Sequence, residues 1–97
     1  MASLNLNSQV VAARQQVSSN LGSDTVILEL TAGRYFGVNS AGTTIWKLLQ
    51  KPTRVQSIRD ALLEEYEVER ERCEADLLGF LRELEASKLI EVRNGGD

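Results

Sequence analysis

The stretch TVILELTAGRYFGVN, residues 25–39, decides the fold. Residues 25–30 are rich in β-branched and aliphatic side chains, and apolar residues occupy both parities of the segment, which is typical of a strand. Residues 31–34 include Gly33, which supplies the positive φ that tight turns require. Residues 34–39 read as a returning strand. The sequence therefore predicts a β-hairpin here.

The residues before this hairpin predict one further strand. A weak apolar alternation runs from Val10 to Val17 and is consistent with a half-buried strand. Residues 18–24 are rich in Ser, Asn and Gly, which favours a loop. The first forty residues are thus predicted to form a three-stranded antiparallel sheet.

After Asn39 the apolar period changes from 2 to 3.6, which predicts helices. Asn39 or Ser40 is suited to cap the first helix, and Pro52 ends it. Residues 53–56 fit a capping box that begins a second helix. An apolar stripe predicts a third helix near residues 70–87, and residues 89–92 are predicted to be a short closing strand or extended segment.

The element order predicts an α+β fold. Two helices joined by a tight turn and followed by an extended segment form the skeleton of a winged helix-turn-helix, here with an N-terminal three-stranded antiparallel sheet and three helices. Residues 1–9 are expected to be a flexible N-terminus, residues 10–92 a single domain and residues 93–97 a tail.

Composition excludes several function classes. The 97 residues contain no histidine and one cysteine, so there is no histidine general base, no internal disulfide and no Cys/His zinc site. We expect no cofactor and no metal. Apolar runs are too short to span a membrane, and no signal peptide is visible, so we expect a cytoplasmic protein.

Catalysis is not expected. Cys73 lies on the apolar stripe of the third helix and is interpreted as a small buried hydrophobic residue. The carboxylates between residues 64 and 74 are interleaved with arginines and lack an Asp-x-Asp-x-Gly loop, so we interpret them as a solvated surface.

The charge distribution argues against DNA as a partner. The formal net charge is −3, made up of +2 in residues 1–51 and −5 in residues 52–97. Both helices of the predicted helix-turn-helix lie in the acidic part, where DNA phosphates would be repelled. A winged-helix DNA-binding regulator therefore remains only as an alternative.

A peptide-binding module fits the residues better. The strand at residues 34–39 can offer a sheet edge to another strand. Gly37 marks either the close approach of a backbone or a bulge, or else a simple twist or packing point of the strand. Tyr35 is suited either to the core or to a binding surface. On the third helix, Phe80 and Leu81 favour the core, whereas Asp76 borders the apolar stripe and can pair with a basic residue of a bound peptide.

The motifs resemble the PqqD family. The hairpin and first helix, read as G-x-Y-F-x-L-N followed by G-x-x-I-W-x-L-L, match the family pattern, with Val38 in place of the commoner Leu. The segment CEADLLGFLREL from Cys73, with Leu89 and Ile90, resembles the family's third helix and closing segment. Together these similarities cover about residues 10–92.

The resemblance implies a recognition element of ribosomally made, post-translationally modified peptide (RiPP) pathways. Such domains hold the leader segment of a precursor peptide as an added strand, with its side chains in a cleft against the third helix. The implied peptide-binding residues are Arg34, Tyr35, Phe36, Gly37, Val38, Cys73, Asp76, Leu77, Phe80 and Leu81.

The same resemblance implies the partners. A free-standing domain of this length is most similar to the discrete recognition protein of lasso-peptide biosynthesis, which is non-catalytic and delivers the precursor to a separate leader peptidase or other modifying enzyme. A PqqD-type partner of a radical-SAM enzyme is the alternative within the family. A structural subunit without peptide contact is a further one.

Overall fold

The computed structural model describes residues 4–94, which form three helices and two three-stranded antiparallel sheets. This confirms the predicted α+β class and the three helices. In chain order the elements are β1 Ser8–Ala12, β2 Gln16–Leu21, β3 Asp24–Glu29, β4 Arg34–Val38, α1 Ser40–Leu48, β5 Thr53–Arg54, α2 Val55–Glu65, α3 Arg70–Ala86 and β6 Ile90–Asn94. None of these helices is long and apolar enough to cross a membrane.

The two sheets are formed by strands from different parts of the chain. One sheet, which we call the closing sheet, has the order β5-β1-β6 and joins the N-terminal strand to the last one. The other, which we call the meander sheet, has the order β2-β3-β4, so β2 and β4 are its two edges. The three helices supply most of the core between them, and the strands contribute Val10, Ile27, Val38 and Ile90.

The single strand predicted from Val10 to Val17 is in fact two strands in different sheets. β1 pairs with β6 in the closing sheet, and β2 pairs with β3 in the meander sheet. The chain leaves the closing sheet at Ala13, whose amide donates to the carbonyl of Leu89 at 2.8 Å. The weak alternation missed the break because it carries no turn residue.

The loop predicted at residues 18–24 is also wrong. β2 continues to Leu21, and a two-residue turn containing Gly22, with φ +71°, leads directly into β3. The side chains of β2 are almost all exposed, so this edge strand has no apolar pattern. Main-chain pairing with β3 holds it, and polar composition does not prevent that pairing.

Residues 1–9 were expected to form a flexible N-terminus. Of these, residues 1–3 lie outside the described part of the chain, and residues 4–9 lie within it. Leu4 is buried in the core, Ser8 begins β1, and the carbonyl of Leu6 accepts the amide of Gln56 at 3.1 Å. At the other end β6 includes Arg93, whereas residues 95–97 lie outside the described part.

Of the two predicted helix caps, the one at the start of α1 is present and the one at the start of α2 is not. Asn39 caps α1, since its side-chain oxygen accepts the amide of Gly42 at 2.9 Å. The capping box at residues 53–56 is wrong, because α2 begins at Val55 with no side-chain cap. The hydroxyl of Thr53 is instead 2.9 Å from the carbonyl of Leu48, at the end of α1.

The inner face of the meander sheet carries Thr25, Ile27 and Glu29, all buried. The Thr25 hydroxyl lies 2.9 Å from that of Thr43 on α1, so both polar groups are satisfied. The Glu29 carboxylate accepts amides of the β3–β4 turn, each at 2.8 Å. These bonds, from Ala32 first and then Thr31, lower the pKa of the Glu29 carboxyl.

The helical and strand layers approach each other closely at Gly42. A Cβ placed on Gly42 would lie 2.9 Å from the Cβ of Val38 and 3.3 Å from the Cζ of Phe80. Since real Cβ atoms do not approach a backbone-anchored carbon this closely, α1 can pack against β4 and α3 here only because residue 42 lacks a side chain.

We predict that Gly42→Ala and Gly79→Ala have opposite effects on stability. The added methyl group of Gly42→Ala would displace Val38 and Phe80 from residue 42. This should lower the free energy of unfolding by about 1–3 kcal/mol, as overpacking does. The second lies in α3 with nothing within 4 Å of its Cβ, and should gain about 0.5–1 kcal/mol from helix propensity. Urea denaturation of both variants measures the difference, and equal shifts would contradict the close approach.

We predict that Glu29 gives the hairpin a pH-dependent contribution. A carboxyl whose pKa is lower in the folded than in the unfolded state stabilises above the ordinary value of about 4.3, and that stabilisation is lost as pH falls through the folded value. Chemical denaturation between pH 7 and pH 3 should show a shallower acid loss in Glu29→Gln than in the wild type. Parallel profiles would exclude this contribution.

Candidate functional site

The outer side of β4 is an open sheet edge. No strand of residues 4–94 pairs with that side. The amide of Leu30 donates to the carbonyl of Gln15, which makes Gln16 and Glu29 a non-hydrogen-bonded pair in the register of β2 and β3. Glu29 therefore directs its main-chain groups towards β4 and not towards β2.

This alternation fixes which groups the edge presents. Glu29, Ile27 and Thr25 bond to their partners Arg34, Phe36 and Val38. The two residues between these partners, Tyr35 and Gly37, therefore point their amides and carbonyls outward. The edge offers two donors and two acceptors in extended geometry, which is what an added strand requires.

A groove of about 510 Å³ opens beside this edge, between β4, the start of α1 and α3. Its volume is in the range of ligand-binding clefts. The lining residues are Gly37, Val38, Asn39, Ala41, Gly42, Ile45, Leu62, Tyr66, Val68, Cys73, Asp76, Leu77, Phe80 and Glu83.

The groove has an apolar floor and an acidic rim. Val38, Ile45 and Leu77 are buried at its base. The charged residues in the lining are Asp76 and Glu83, both exposed, on the same side of α3 as Phe80. The nearest basic group of Asp76 is Arg72, at 3.7 Å with both side chains largely exposed, so this ion pair contributes little.

An ion-pair network fixes α3 against α2. The guanidinium of Arg59 is mostly buried, and it donates to Glu74 at 2.7 Å and to Asp60 at 3.0 Å. Hydrogen bonds from these carboxylates, that from Glu74 first, raise the pKa of Arg59, which therefore stays charged. The helical wall of the groove is thus held by a charged contact as well as by the core.

The predicted site residues fall into two sets. Six of them line the groove, namely Gly37, Val38, Cys73, Asp76, Leu77 and Phe80. The other four do not. Leu81 is fully buried in the core, Phe36 is partly buried against it, Arg34 lies opposite Glu29, and Tyr35 faces away with 73% of its surface exposed.

The sequence analysis missed the residues that α1 and α2 bring to the groove. The start of α1 contributes Gly42 and Ile45, and the end of α2 contributes Leu62 and Tyr66. The hydroxyl of Tyr66 lies 3.4 Å from that of Thr44, so α2 meets α1 here. The i, i+3 spacing of Gly42 and Ile45 directly after the edge strand was the available signal.

The chemistry of the groove is that of a binding surface. Burial raises the pKa of the Cys73 thiol, and the neighbouring carboxylates of Glu74 and Asp76 raise it further, although Arg59 opposes them. The thiol is therefore protonated at neutral pH and a poor nucleophile. Within residues 4–94, no three His, Cys, Asp or Glu side chains come together as a metal site.

Comparison with known families gives a match over residues 24–90, which include the edge strand and all of the groove lining, to the family described as coenzyme PQQ synthesis protein D (PqqD). The chain belongs to the PqqD family. The residues quoted from the hairpin, α1 and α3 are those that carried the resemblance in the sequence.

One solved structure is similar to this chain over most of its length. It is described as TbiB1 in complex with the TbiA(beta) leader peptide, and it matches with 38% sequence identity and a TM-score of 0.79. The match covers 84% of this chain and 94% of that one. No curated protein sequence matches this chain.

We predict that Cys73 is chemically inert in the folded protein. At pH 7.5 its reaction with a thiol reagent such as DTNB should be slower than that of free cysteine by about 100-fold or more, because the thiol is buried and protonated. Unfolding in guanidinium should restore the ordinary rate. Fast labelling of the native protein would show that the thiol is accessible and ionised.

Proposed function

We propose that this chain is a non-catalytic RiPP recognition element that binds the leader segment of a ribosomal precursor peptide by strand addition to β4. The observation that carries the proposal is the open edge at Tyr35 and Gly37, adjoining the apolar groove against α3. The domain responsible corresponds to residues 10–92, and the protein acts in the cytoplasm.

Strand parity assigns the bound side chains to two sides. Residues directly opposite each other on paired strands share a face of the sheet. Leader residues opposite Phe36 and Val38 therefore point towards the groove, where Phe80 and Asp76 lie. Those opposite Tyr35 and Gly37 point to the outer face. Main-chain bonds supply affinity and the groove selects alternate side chains.

The likeness to TbiB1 supports a leader peptide as the partner, since that protein is described as bound to one. We further propose that the bound leader is presented to a separate leader peptidase or other modifying enzyme, and that the pathway is lasso-peptide biosynthesis. The PqqD-type partnership with a radical-SAM enzyme is the alternative assignment within the family.

The acidic helices support a peptide over DNA. The arrangement of α2, α3 and β6 is the one that we interpret as a winged helix-turn-helix. α3 carries three arginines and five carboxylates, and the ion pairs of Glu74 and Asp76 engage Arg59, Arg70 and Arg72. A helix of this composition has little positive charge left to meet phosphate groups.

We predict that Gly37→Pro weakens leader binding by about tenfold or more, because the proline removes an outward amide and its ring occupies the edge. The bond to β3 is unaffected, since the main-chain groups of residue 37 point away from it. Fluorescence anisotropy with the labelled TbiA(beta) leader, and with the leader encoded beside this gene, measures the affinity.

Ser18→Pro is the matched control. Ser18 occupies an outward-pointing position on β2, the opposite edge of the same sheet. This variant should bind the leader as the wild type does, and thermal melts should show that both proline variants are folded. Equal loss in the two variants, or no saturable binding by the wild type at tens of micromolar, would refute strand addition to β4.

A further inference from the structure

The outer face of the meander sheet is an apolar surface that the fold leaves uncovered. Among residues 4–94, five large hydrophobic side chains are exposed, and three of them share this face. Their exposed fractions are 54% for Val17, 62% for Leu21 and 73% for Tyr35. Single exposed hydrophobic residues need no explanation, but a group on one face marks an interaction site.

The register shows that the surface is continuous. Val17, Leu28 and Tyr35 form one row across all three strands, because Leu28 pairs with Val17 on one side and with Tyr35 on the other. Val26 forms the next row with Ser19 and Gly37, and a Cβ on Gly37 would meet nothing within 4 Å. Val26 is thus left open towards the β4 edge.

We propose that this outer face docks the enzyme that acts on the bound peptide, and that the leader strand completes the docking surface. The proposal rests on the proposed function, because it requires a leader strand on β4. The leader residues opposite Tyr35 and Gly37 share the outer face and extend its apolar rows by a fourth strand. The surface therefore continues directly into the peptide-binding edge.

Area argues against a second copy of this chain as the occupant. Strands lie about 4.8 Å apart with about 3.3 Å per residue, so three strands of this length present roughly 270 Å² in projection. A stable interface buries about 800 Å² per partner. A partner that contacts the sheet and the leader together gains area that a permanent dimer built on this face would lack.

The surface also defines the chemistry of its partner. The positions on this face are uncharged apart from Asp24 at one end. The enzyme should therefore contribute an apolar, uncharged patch, with little dependence of the affinity on salt. Because the leader forms part of the contact, the enzyme should bind the occupied domain more tightly, and it should raise leader affinity by the same factor.

The test uses the double variant Val17→Lys with Leu21→Lys. Both residues lie on β2, away from the β4 edge, and both are more than half exposed. The probes are the labelled leader and the purified modifying enzyme, both encoded beside this gene. Ser57→Lys, which adds one lysine at an exposed position of α2, is the control. If the double variant melts early, Leu21→Lys alone, at the end of β2, replaces it.

We expect the double variant to bind the enzyme about tenfold more weakly, as loss of a central apolar contact does, while its affinity for the leader stays within about twofold of the wild type. The factor by which the enzyme raises leader affinity should fall towards one. Ser57→Lys should behave as the wild type in each measurement.

Three outcomes would overturn the docking face. They are unchanged enzyme affinity in the double variant, enzyme affinity that is the same with and without leader, and a dimer in sedimentation equilibrium that the double variant abolishes. The last would assign the face to a second copy. Failure of the wild type to bind the leader at all would count against the proposed function, and that measurement is made first and separately.

Discussion

The close packing at Gly42 is the constraint on which the rest of the structure depends. The meander sheet shares no strand with the closing sheet, so contacts with the helices hold it in place. β4 runs into α1 through Asn39, whose side chain caps the helix, and Gly42 then lies against Val38 and Phe80. The position of the edge strand relative to α3, and with it the width of the groove, is set at this point.

The groove therefore lies between a helix that is fixed in place, α3, and a strand whose outer edge is open, β4. α3 is fixed by the core residues Leu77, Leu81 and Leu84 and by the charged contact of Arg59 with Glu74. β4 is bonded to β3 on one side and to nothing on the other within residues 4–94. Because α3 is already fixed, a peptide that adds to β4 would not have to order this helix. The entropic cost of binding is therefore lower.

Much of this architecture could be predicted from local signals. The turn at Gly33, the cap at Asn39 and the apolar stripe of α3 each have a local physical cause, and each is present in the structure. Apolar residues occupy both parities of residues 25–30, so the sequence could not show that the face with Ile27 is the buried one.

The reason lies in contacts that are distant in sequence. The inner face of β3 is buried because α1 covers it, and its polar residues are tolerated because Thr25 meets Thr43 and Glu29 meets the amides of its own turn. The break between β1 and β2 also depends on distant contacts, because β1 pairs with β6 at the far end of the chain. The part of the groove that α1 and α2 contribute was missed because it depends on the same long-range packing.

The exposed features of the meander sheet explain one another if they serve a single bound peptide. An open edge and an apolar outer face are both liabilities for a small protein, because each invites aggregation. The β4 edge adjoins the groove on one face and the apolar rows on the other. Tyr35 and Gly37 belong to both features, since their main-chain groups face the edge and their side-chain positions face outward. A peptide strand on β4 would satisfy the first and extend the second, which makes peptide binding and enzyme docking two consequences of one strand addition.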